Sequence, residues 1–467
     1  MSVHHQTQPV IDIGRRLDHL PVGPVHRRVV AAIGFGLFFE VYEIFLASSI
    51  AAALRSHYGV DASTIKLLLA STFVGMFFGS VLFGRLADRI GRRRAFLLNL
   101  IWFSVWSLVG ACAPNAAVLV VTRFLAGIGV GAEYPVADSY LADVLPKDHR
   151  GRLAAWAYTL SFVAVPVLGF LALYLDKRDI FGVEGWRVLL AVGALGAAGV
   201  AMLRRGLPES PRWLAGQGRL VEADAAVGQF ERGAVRQFER GAVRRDEPAP
   251  VQPVESADEP AAPVSPDRGR LWISPYRQRV LMLSVFHLCQ PFAYYGFGTL
   301  AALVLVSRGY STTSSLLFTA LSYLGYPVGS ILAIPLLRWF ERKFLLIGAA
   351  AAISVSGLLF ATSNSPWAIV LFGFLTTALC NVFSNVYHVY QAEIFPTDMR
   401  ATAVGLTYSL SRLSSGLLPF VLIPVLDDYG ATAMFAVVVA ALVVVMGVVA
   451  TLGPRTAGRN LEDINPV

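Results

Sequence analysis

Charged residues are scarce along this chain. Asp, Glu, Lys and Arg make up 15% of its 467 residues, where a soluble domain carries about 25%. With 55% hydrophobic residues and a mean hydropathy of +0.58, water alone would not keep it soluble, which excludes an ordinary globular or disordered protein. Cysteine is rarer still. Cys112, Cys289 and Cys380 lie far apart in or beside apolar runs, which excludes a disulfide framework or a CxxC metal site. No metal or cofactor is expected. Acidic residues fall short of basic ones, 31 against 39, leaving a net charge of +8. The arginines cluster in short segments between apolar runs, as in loops flanking a bilayer, so nucleic acid is not the expected partner.

What is abundant is long apolar runs. They predict helices near 29–54, 65–84, 95–112, 117–142, 152–174, 187–204, 279–306, 313–337, 344–362, 367–392, 401–426 and 431–452, each close to or above the roughly 20 residues that span about 30 Å of hydrocarbon. The fold class is therefore an all-α membrane protein of twelve transmembrane helices, with the lipid bilayer as its surroundings. The polar start of the chain has no signal-peptide pattern and reads as a tail, 1–28. Lysine and arginine collect on one side, at Arg15, Arg16, Arg27 and Arg28, at 85–94, at Lys147, Arg150 and Arg152, at 204–245, at Arg338, Arg342 and Lys343, and at Arg400. That side is expected to be cytoplasmic and to hold both termini. A monomer in a bacterial inner membrane is the expectation.

The connection 205–278 separates a bundle at 29–204 from a second at 279–452, which a short tail, 453–467, follows. Its first part reads as a charged helix containing a tandem octapeptide, QFERGAVR at 229–236 and again at 237–244; no function is assigned to it. From Asp246 to Arg268 the Pro, Ala and acidic composition reads as a flexible linker. A longer repeat carries more weight. LADVLPKDHRGRLAA at 141–155 and QAEIFPTDMRATAVG at 391–405 match at an offset of 250, pairing Asp143 with Glu393 and Arg150 with Arg400. Two parallel halves related by an axis along the membrane normal would place a solute site between them.

Three motifs resemble a known family. GRLADRIGRRR at 84–94 resembles the loop signature of major facilitators, the stretch 123–152 resembles the fourth helix of their sugar-porter and SV2-like branch, and PESPRWL at 208–214 resembles the segment after helix six in that branch. The resemblance spans nearly the whole chain and implies two pseudo-symmetric six-helix bundles and solute transport rather than enzymatic chemistry. It further implies a cytoplasmic latch that holds the halves together in the outward-open state, formed by Gly84, Asp88, Arg89, Arg92, Asp143, Arg150, Glu209, Arg212, Glu393 and Arg400. The tail GRNLEDI at 458–464 is similar to that of sugar porters, although Pro454-Arg455-Thr456 stands where they carry Pro-Glu-Thr. The helix-five glutamine, the QQxxGxN run of helix seven and the GPxPxxW pattern of helix ten are missing, which weakens a sugar as the solute.

An ionisable residue at the centre of a transmembrane helix costs roughly 2.5–3.5 kcal/mol on insertion scales, so each calls for a partner or a task. Glu40 and Glu43 share a face of the first helix, and two close carboxylates at low dielectric repel and favour sharing a proton. They are candidates for proton coupling, or else a structural pair satisfied by tyrosines such as Tyr42. Arg123 either pairs with one of them or snorkels outward; Glu133 and Asp138 face the cavity or the latch. Arg412 stands about 16 Å along helix eleven, near the midplane. Its planar fork suits a substrate carboxylate, or forms a permanent salt bridge to a protein acid such as Glu40. Gln290, Phe292 and Tyr295 of helix seven, Asn385 and His388 of helix ten and Trp156 of helix five supply amides and ring faces suited to a flat substrate. The expectation is proton-coupled import of a small organic anion, an aromatic monocarboxylate such as nicotinate, with protons and that small molecule as partners. A sugar or other metabolite porter, a drug or metabolite exporter and a non-transporting receptor are the alternatives.

Overall fold

The structure is a computed structural model describing residues 13–57, 60–131, 133–146, 149–176, 178–180, 182–242, 272–395, 397–457 and 464; the side chains of 15, 52, 53, 56, 57, 81, 84, 85, 88, 135, 151, 235–242, 338 and 397–402 are outside that description. The first half contains α1 (Ile13–Asp18), α2 (Pro24–His57), α3 (Ala62–Ile90), α4 (Arg92–Ala111), α5 (Ala116–Val130), α6 (Glu133–Val144), α7 (Arg150–Phe162), α8 (Ala164–Leu175) and α9 (Gly185–Arg204). A two-strand hairpin, β1 (Asp179–Ile180) and β2 (Val183–Glu184), precedes α9. α10 (Pro211–Gly216) and α11 (Leu220–Ala242) belong to the connection. The second half contains α12 (Tyr276–Ser307), α13 (Thr312–Tyr323), α14 (Gly325–Trp339), α15 (Arg342–Thr362), α16 (Pro366–Glu393) and α17 (Thr397–Leu452).

Ten described helices are long and apolar enough to cross a membrane. One of them, Ala403–Leu452, contains Gly430, whose φ of +82° ends one span and begins the next; this is backbone that glycine adopts without strain. The shorter apolar helix Ala116–Val130 continues into α6 and supplies the twelfth span. Spans five and eight are each broken once, before a proline. Pro166 and Pro327 have no N–H for the carbonyls of Phe162 and Tyr323, where α7 and α13 end. The chain tightens there into i→i+3 bonds, Val163 to Leu160 and Leu324 to Leu321, both 3.3 Å.

The 250-residue offset reaches far beyond the motif that suggests it. α3, α4 and α5 begin at Ala62, Arg92 and Ala116; α13, α15 and α16 begin at Thr312, Arg342 and Pro366, each 250 residues later. The packing repeats as well. Gly75 and Gly79 lie against the backbone of Phe124 and Ile128, and Gly325 and Gly329 lie against that of Phe374 and Ala378, so that a β-carbon at any of the four would strike a carbonyl oxygen. Close backbone approach through small residues is the usual means of joining helices in lipid. The halves meet through span two on span eleven, with Gly416 against Val74, and span five on span eight, with Gly169 against Ala320. These two contacts are themselves related by the pseudo-symmetry, because span two repeats as eight and five as eleven.

The connection begins with α10 and α11, and α11 covers the octapeptide repeat as far as Ala242. It is amphipathic and buries Ala223, Ala226, Val227 and Phe230 beside Ile13, Leu17 and Val29. The expected linker 246–268 lies outside the described residues. The first transmembrane helix starts at Pro24, earlier than the apolar run suggests.

Candidate functional site

Arg412 lies on the eleventh span with its side chain buried, at 2% exposure. Its Nη1 donates to the hydroxyl of Tyr295 at 3.0 Å and its Nη2 to that of Tyr408 at 3.3 Å. The guanidinium carbon sits 5.3 Å from the Tyr408 ring centroid. Among the described residues no carboxylate lies within 4.0 Å of it. The charge is thus held by neutral acceptors and a π-face. Aromatic groups crowd around it: the Tyr408 centroid is 5.4 Å from His287 and 5.9 Å from His388, and Tyr295 meets Phe73 of the other half at 4.9 Å.

The acidic pair of the first span divides. Residues three apart on a helix are rotated about 60° from one another, and that angle sends the two carboxylates to different neighbours. Glu43 points into its own bundle, where Arg123 of α5 forms an ion pair with it through Nη1 and donates from Nη2 to its carbonyl at 2.7 Å. Ser107 of α4 donates to the same carboxylate at 2.9 Å. Arg123 therefore does not snorkel, and the expected repulsion between Glu40 and Glu43 gives way to a buried salt bridge. Tyr42 is likewise structural, donating to the Leu189 carbonyl at 3.0 Å. Glu40 is buried at 0% exposure, and neither of its oxygens has a hydrogen-bond partner among the described residues. Glu40 therefore stands apart from the Glu43–Arg123 pair.

The other expected ligands separate in the same way. Tyr295 and His388 join the Arg412 cluster; His388 stacks on Tyr387 at 4.4 Å and is exposed although it lies within a span. Gln290 is buried, and its Oε1 has no hydrogen-bond partner among the described residues. Asn385 donates to the Asn381 carbonyl at 2.8 Å and to Ser330 at 3.4 Å, and Phe292 is half-buried against the core. Trp156 does not belong to the site. It is 58% exposed and shares a stripe with Val167, Phe170 and Tyr174, the outward face of the fifth span. Sequence reasoning missed Tyr408, which could have been found from its spacing, one helical turn before Arg412 on the same face.

Glu133 is bound in a second buried pair, with Arg204 at 2.5 Å. Arg204 also donates to the carbonyls of Ala32 and Ile33 at 3.1 and 3.2 Å. A β-carbon at Gly36 would collide with its guanidinium.

At the basic end, the latch residues form contacts within each half. Asp18, not foreseen, accepts from Arg150 at 3.0 Å and Arg212 at 2.7 Å. Asp143 lies 3.9 Å from Arg92 and accepts from Ser210 at 2.7 Å. Glu209 accepts from the backbone N–H of Arg93 at 3.0 Å, and Arg89 is exposed. In the second half Arg342 reaches Glu393 at 3.4 Å. Outside the spans, the hydrogen bond to Asp224, with Glu231 beside it, holds the Arg16 guanidinium above its usual pKa and pins α1 to α11. The side chains of Gly84, Asp88 and Arg400 lie outside the described residues. Among the described residues no ion pair joins the halves at this end. At the opposite end two contacts do, Arg55 with Asp427 at 2.9 Å and Thr313 with Asp176 at 2.5 Å. Among the described residues at the ends of the spans, the polar contacts that fasten the halves together lie on the side away from the basic loops.

Comparison with known proteins agrees with this architecture. The family described as "Sugar (and other) transporter" matches residues 29–467. A putative metabolite transport protein of Bacillus subtilis, YyaJ, is 32% identical over 88% of this chain and 88% of its own. The niacin transporter NiaP of Acinetobacter baylyi is 27% identical over 97% of this chain and 100% of its own. Among solved structures, the xylose transporter XylE of E. coli in a partially occluded inward-open conformation aligns with a TM-score of 0.73 at 19% identity, covering 93% of this chain and 99% of that one, a likeness of fold. The match over almost the entire chain, on a twelve-span scaffold with its polar site between two repeated halves, places the protein in the sugar (and other) transporter family of the major facilitator superfamily, as a multi-pass membrane transporter of the sugar and metabolite type and not an enzyme.

Proposed function

We propose that the protein is a proton-coupled importer of a small organic anion, an aromatic monocarboxylate such as nicotinate. The observation that carries this reading is Arg412, buried at the middle of a span with two tyrosine hydroxyls and no carboxylate as its described partners. A guanidinium in that setting lacks a counter-ion, and a substrate carboxylate supplies it bidentately. Similarity to a protein named as a niacin transporter supports the same class. Glu40 carries the proton: it is buried without a hydrogen-bond partner and lies in the field of Arg412, so a substrate anion that neutralises the arginine changes the affinity of Glu40 for a proton.

In this reading the basic end faces the cytoplasm of a bacterium, both termini lie there, and a monomer in the inner membrane is the working unit. The Arg55–Asp427 pair, which joins the halves at the end away from the basic loops, corresponds to the inward-facing stage. Rocking of the halves about Arg412 and Glu40 completes the cycle. Uptake of labelled nicotinate into proteoliposomes, driven by an imposed inward proton gradient, tests the proposal. Gradient-driven accumulation lost in Arg412→Ala and in Glu40→Gln is expected. Accumulation that persists in both variants would overturn the anion clamp and the proton role together.

A further inference from the structure

Span ten carries a contact that the mechanism above leaves unused. The Gln391 amide bridges two histidines, its Oε1 lying 3.1 Å from His287 Nε2 and its Nε2 3.3 Å from His388 Nδ1. One end of an amide accepts and the other donates, so the two rings answer it in opposite senses. Burial decides which way these bonds run. His287 is fully buried, and its Nδ1 has no hydrogen-bond partner among the described residues. Orphaned N–H groups are rarer in protein interiors than under-satisfied acceptors, so the neutral ring keeps its proton on Nε2, where Gln391 Oε1 accepts it. Gln391 then donates to Nδ1 of His388, and neutral His388 holds its own proton on Nε2. Among the described residues that N–H makes no hydrogen bond.

The exposed edge of His388 faces the space between the halves. Asn381, Asn385 and His388 follow one another at helical spacing along one face of α16, and the first two reach span eight. Asn381 donates to the Tyr326 carbonyl at 2.6 Å and Asn385 to Ser330 at 3.4 Å; Ser330 in turn lies 3.4 Å from Thr159 of the first half. His388 continues that face toward the basic end, where it is exposed. It also shares Tyr408 with Arg412: the ring centroid of that tyrosine is 5.9 Å from the His388 ring and 5.3 Å from the guanidinium carbon. Arg412 and His388 are separated by no more than those two distances together, a gap that one heteroaromatic acid lying across Tyr408 spans with a hydrogen bond at each end.

We propose that His388, its tautomer set by Gln391, is the donor that recognises a ring nitrogen of the substrate. This rests on Arg412 holding the substrate carboxylate. The substrate class is thereby narrowed to heteroaromatic monocarboxylates with an unprotonated ring nitrogen, which nicotinate is near neutral pH. Gln391 is a positioning residue and does not touch the ligand. A carbocyclic acid of the same shape leaves the His388 N–H desolvated and unpaired, and so binds more weakly.

Calorimetric titration of nicotinate and of benzoate, which differ at the ring nitrogen alone, into the full-length protein in detergent near neutral pH tests this. Native protein is expected to bind nicotinate at least about fivefold tighter than benzoate. His388→Phe keeps a ring on Tyr387 but removes the donor, and should bring the ratio close to one; His388→Gln, which returns an N–H at similar reach, should restore much of it. Gln391→Met releases the tautomer and should lower the ratio part of the way. If His388 only packs against Tyr387 and Tyr408, its replacement weakens both acids alike and leaves the ratio unchanged. A native ratio near one, or a native ratio retained in His388→Phe, overturns the proposal, and a ratio untouched by Gln391→Met overturns the part given to the amide. Arg412→Ala separates the two readings. Both acids should weaken there together, and benzoate bound as tightly as by native protein would overturn the carboxylate clamp; benzoate that depends on Arg412, beside a native ratio near one, would overturn the His388 assignment alone.

Discussion

Arg342 and Glu393 stand 3.4 Å apart at the basic end of the second half. The residues 250 positions earlier, Arg92 and Asp143, stand 3.9 Å apart at the same place in the first. One ion pair thus occurs twice, each at the foot of a helix that packs through the repeated glycine contacts. The two features differ in energetic weight. These side chains are about a fifth exposed, and such pairs contribute at most about 1 kcal/mol each. A methyl group driven into a helix backbone costs about 1–3 kcal/mol. Thermal unfolding of the detergent-solubilised protein should therefore show small shifts for Asp143→Asn and Glu393→Gln. Gly79→Ala and Gly329→Ala should lower Tm more, and by similar amounts in the two halves.

Arg123 and Glu43 form the opposite case, an ion pair shielded from solvent inside the first bundle. Removing one partner of such a pair leaves an uncompensated buried charge and costs about 3–5 kcal/mol, whereas replacing both by apolar residues of similar volume is often neutral. Arg123→Met alone should be severely destabilising, and Arg123→Met combined with Glu43→Leu should recover much of the loss. Differential scanning fluorimetry of the three variants checks this. Equal destabilisation of the single and double variants would show that the pair is not the source of the effect.

Arg412 and its two tyrosines allow a graded outcome. Arg412→Lys keeps the charge but not the planar fork, so nicotinate binding should weaken by at least about tenfold, and Arg412→Ala further. Tyr295→Phe and Tyr408→Phe remove one acceptor each from the guanidinium and leave its charge, so each should weaken binding by less than Arg412→Lys does. Calorimetric titration of nicotinate gives the order; a tyrosine variant weaker than Arg412→Lys would show that the hydroxyl itself holds the ligand.

The spans were legible because burial in lipid imposes a crude requirement, length and apolarity, that any 20-residue window displays. The duplicated halves were legible at Asp143 and Glu393 because charge and proline recur there, whereas the wider register, from Ala62 and Thr312 to Ala116 and Pro366, is carried by interchangeable apolar residues. Arg412 was legible as a buried cation. Which of the two first-span carboxylates holds Arg123, and the outward position of Trp156, were not. Both depend on the rotation of a helix about its axis, and in a bilayer the lipid-facing side is as apolar as the packed one, so periodicity does not reveal which way a face points.

At the end opposite the basic loops, Asp61 caps α3, accepting from the backbone N–H of Thr64 at 3.4 Å and from the hydroxyls of Ser63 and Thr64. The Ser63 hydrogen bond foremost, with that of Thr64, brings its pKa down to about 2. A carboxyl with a depressed folded-state pKa stabilises the fold above its unfolded pKa near 4. That stabilisation is lost as pH falls through about 2. The Asp61 cap should therefore add a constant increment to Tm between pH 5 and 8 and lose it on acidification. Comparing native protein with Asp61→Ala, a Tm difference that shrinks only below about pH 4 is expected; one that varies between pH 5 and 8 would assign the cap to another group.

The pair that joins the halves, Arg55 and Asp427 at 2.9 Å, bears on the conformational equilibrium more than on folding. Its side chains are about 30% exposed, which limits the pair to at most about 1 kcal/mol, a factor of about five in a two-state population. The Thr313–Asp176 bond at 2.5 Å adds a second fastening on the same side. Neither survives in a state open at that end, so both act on the closed state alone and their loss moves the equilibrium in one direction. Arg55→Ala should raise the population open at the far end by about two- to fivefold, and Arg55→Ala with Thr313→Ala by more. Spin labels placed on α2 and α17 near that end would report this as growth of a longer-distance component in pulsed dipolar spectra. A distribution unchanged in the double variant would mean that the packing of span two on eleven and of five on eight, and not these polar contacts, keeps that end shut.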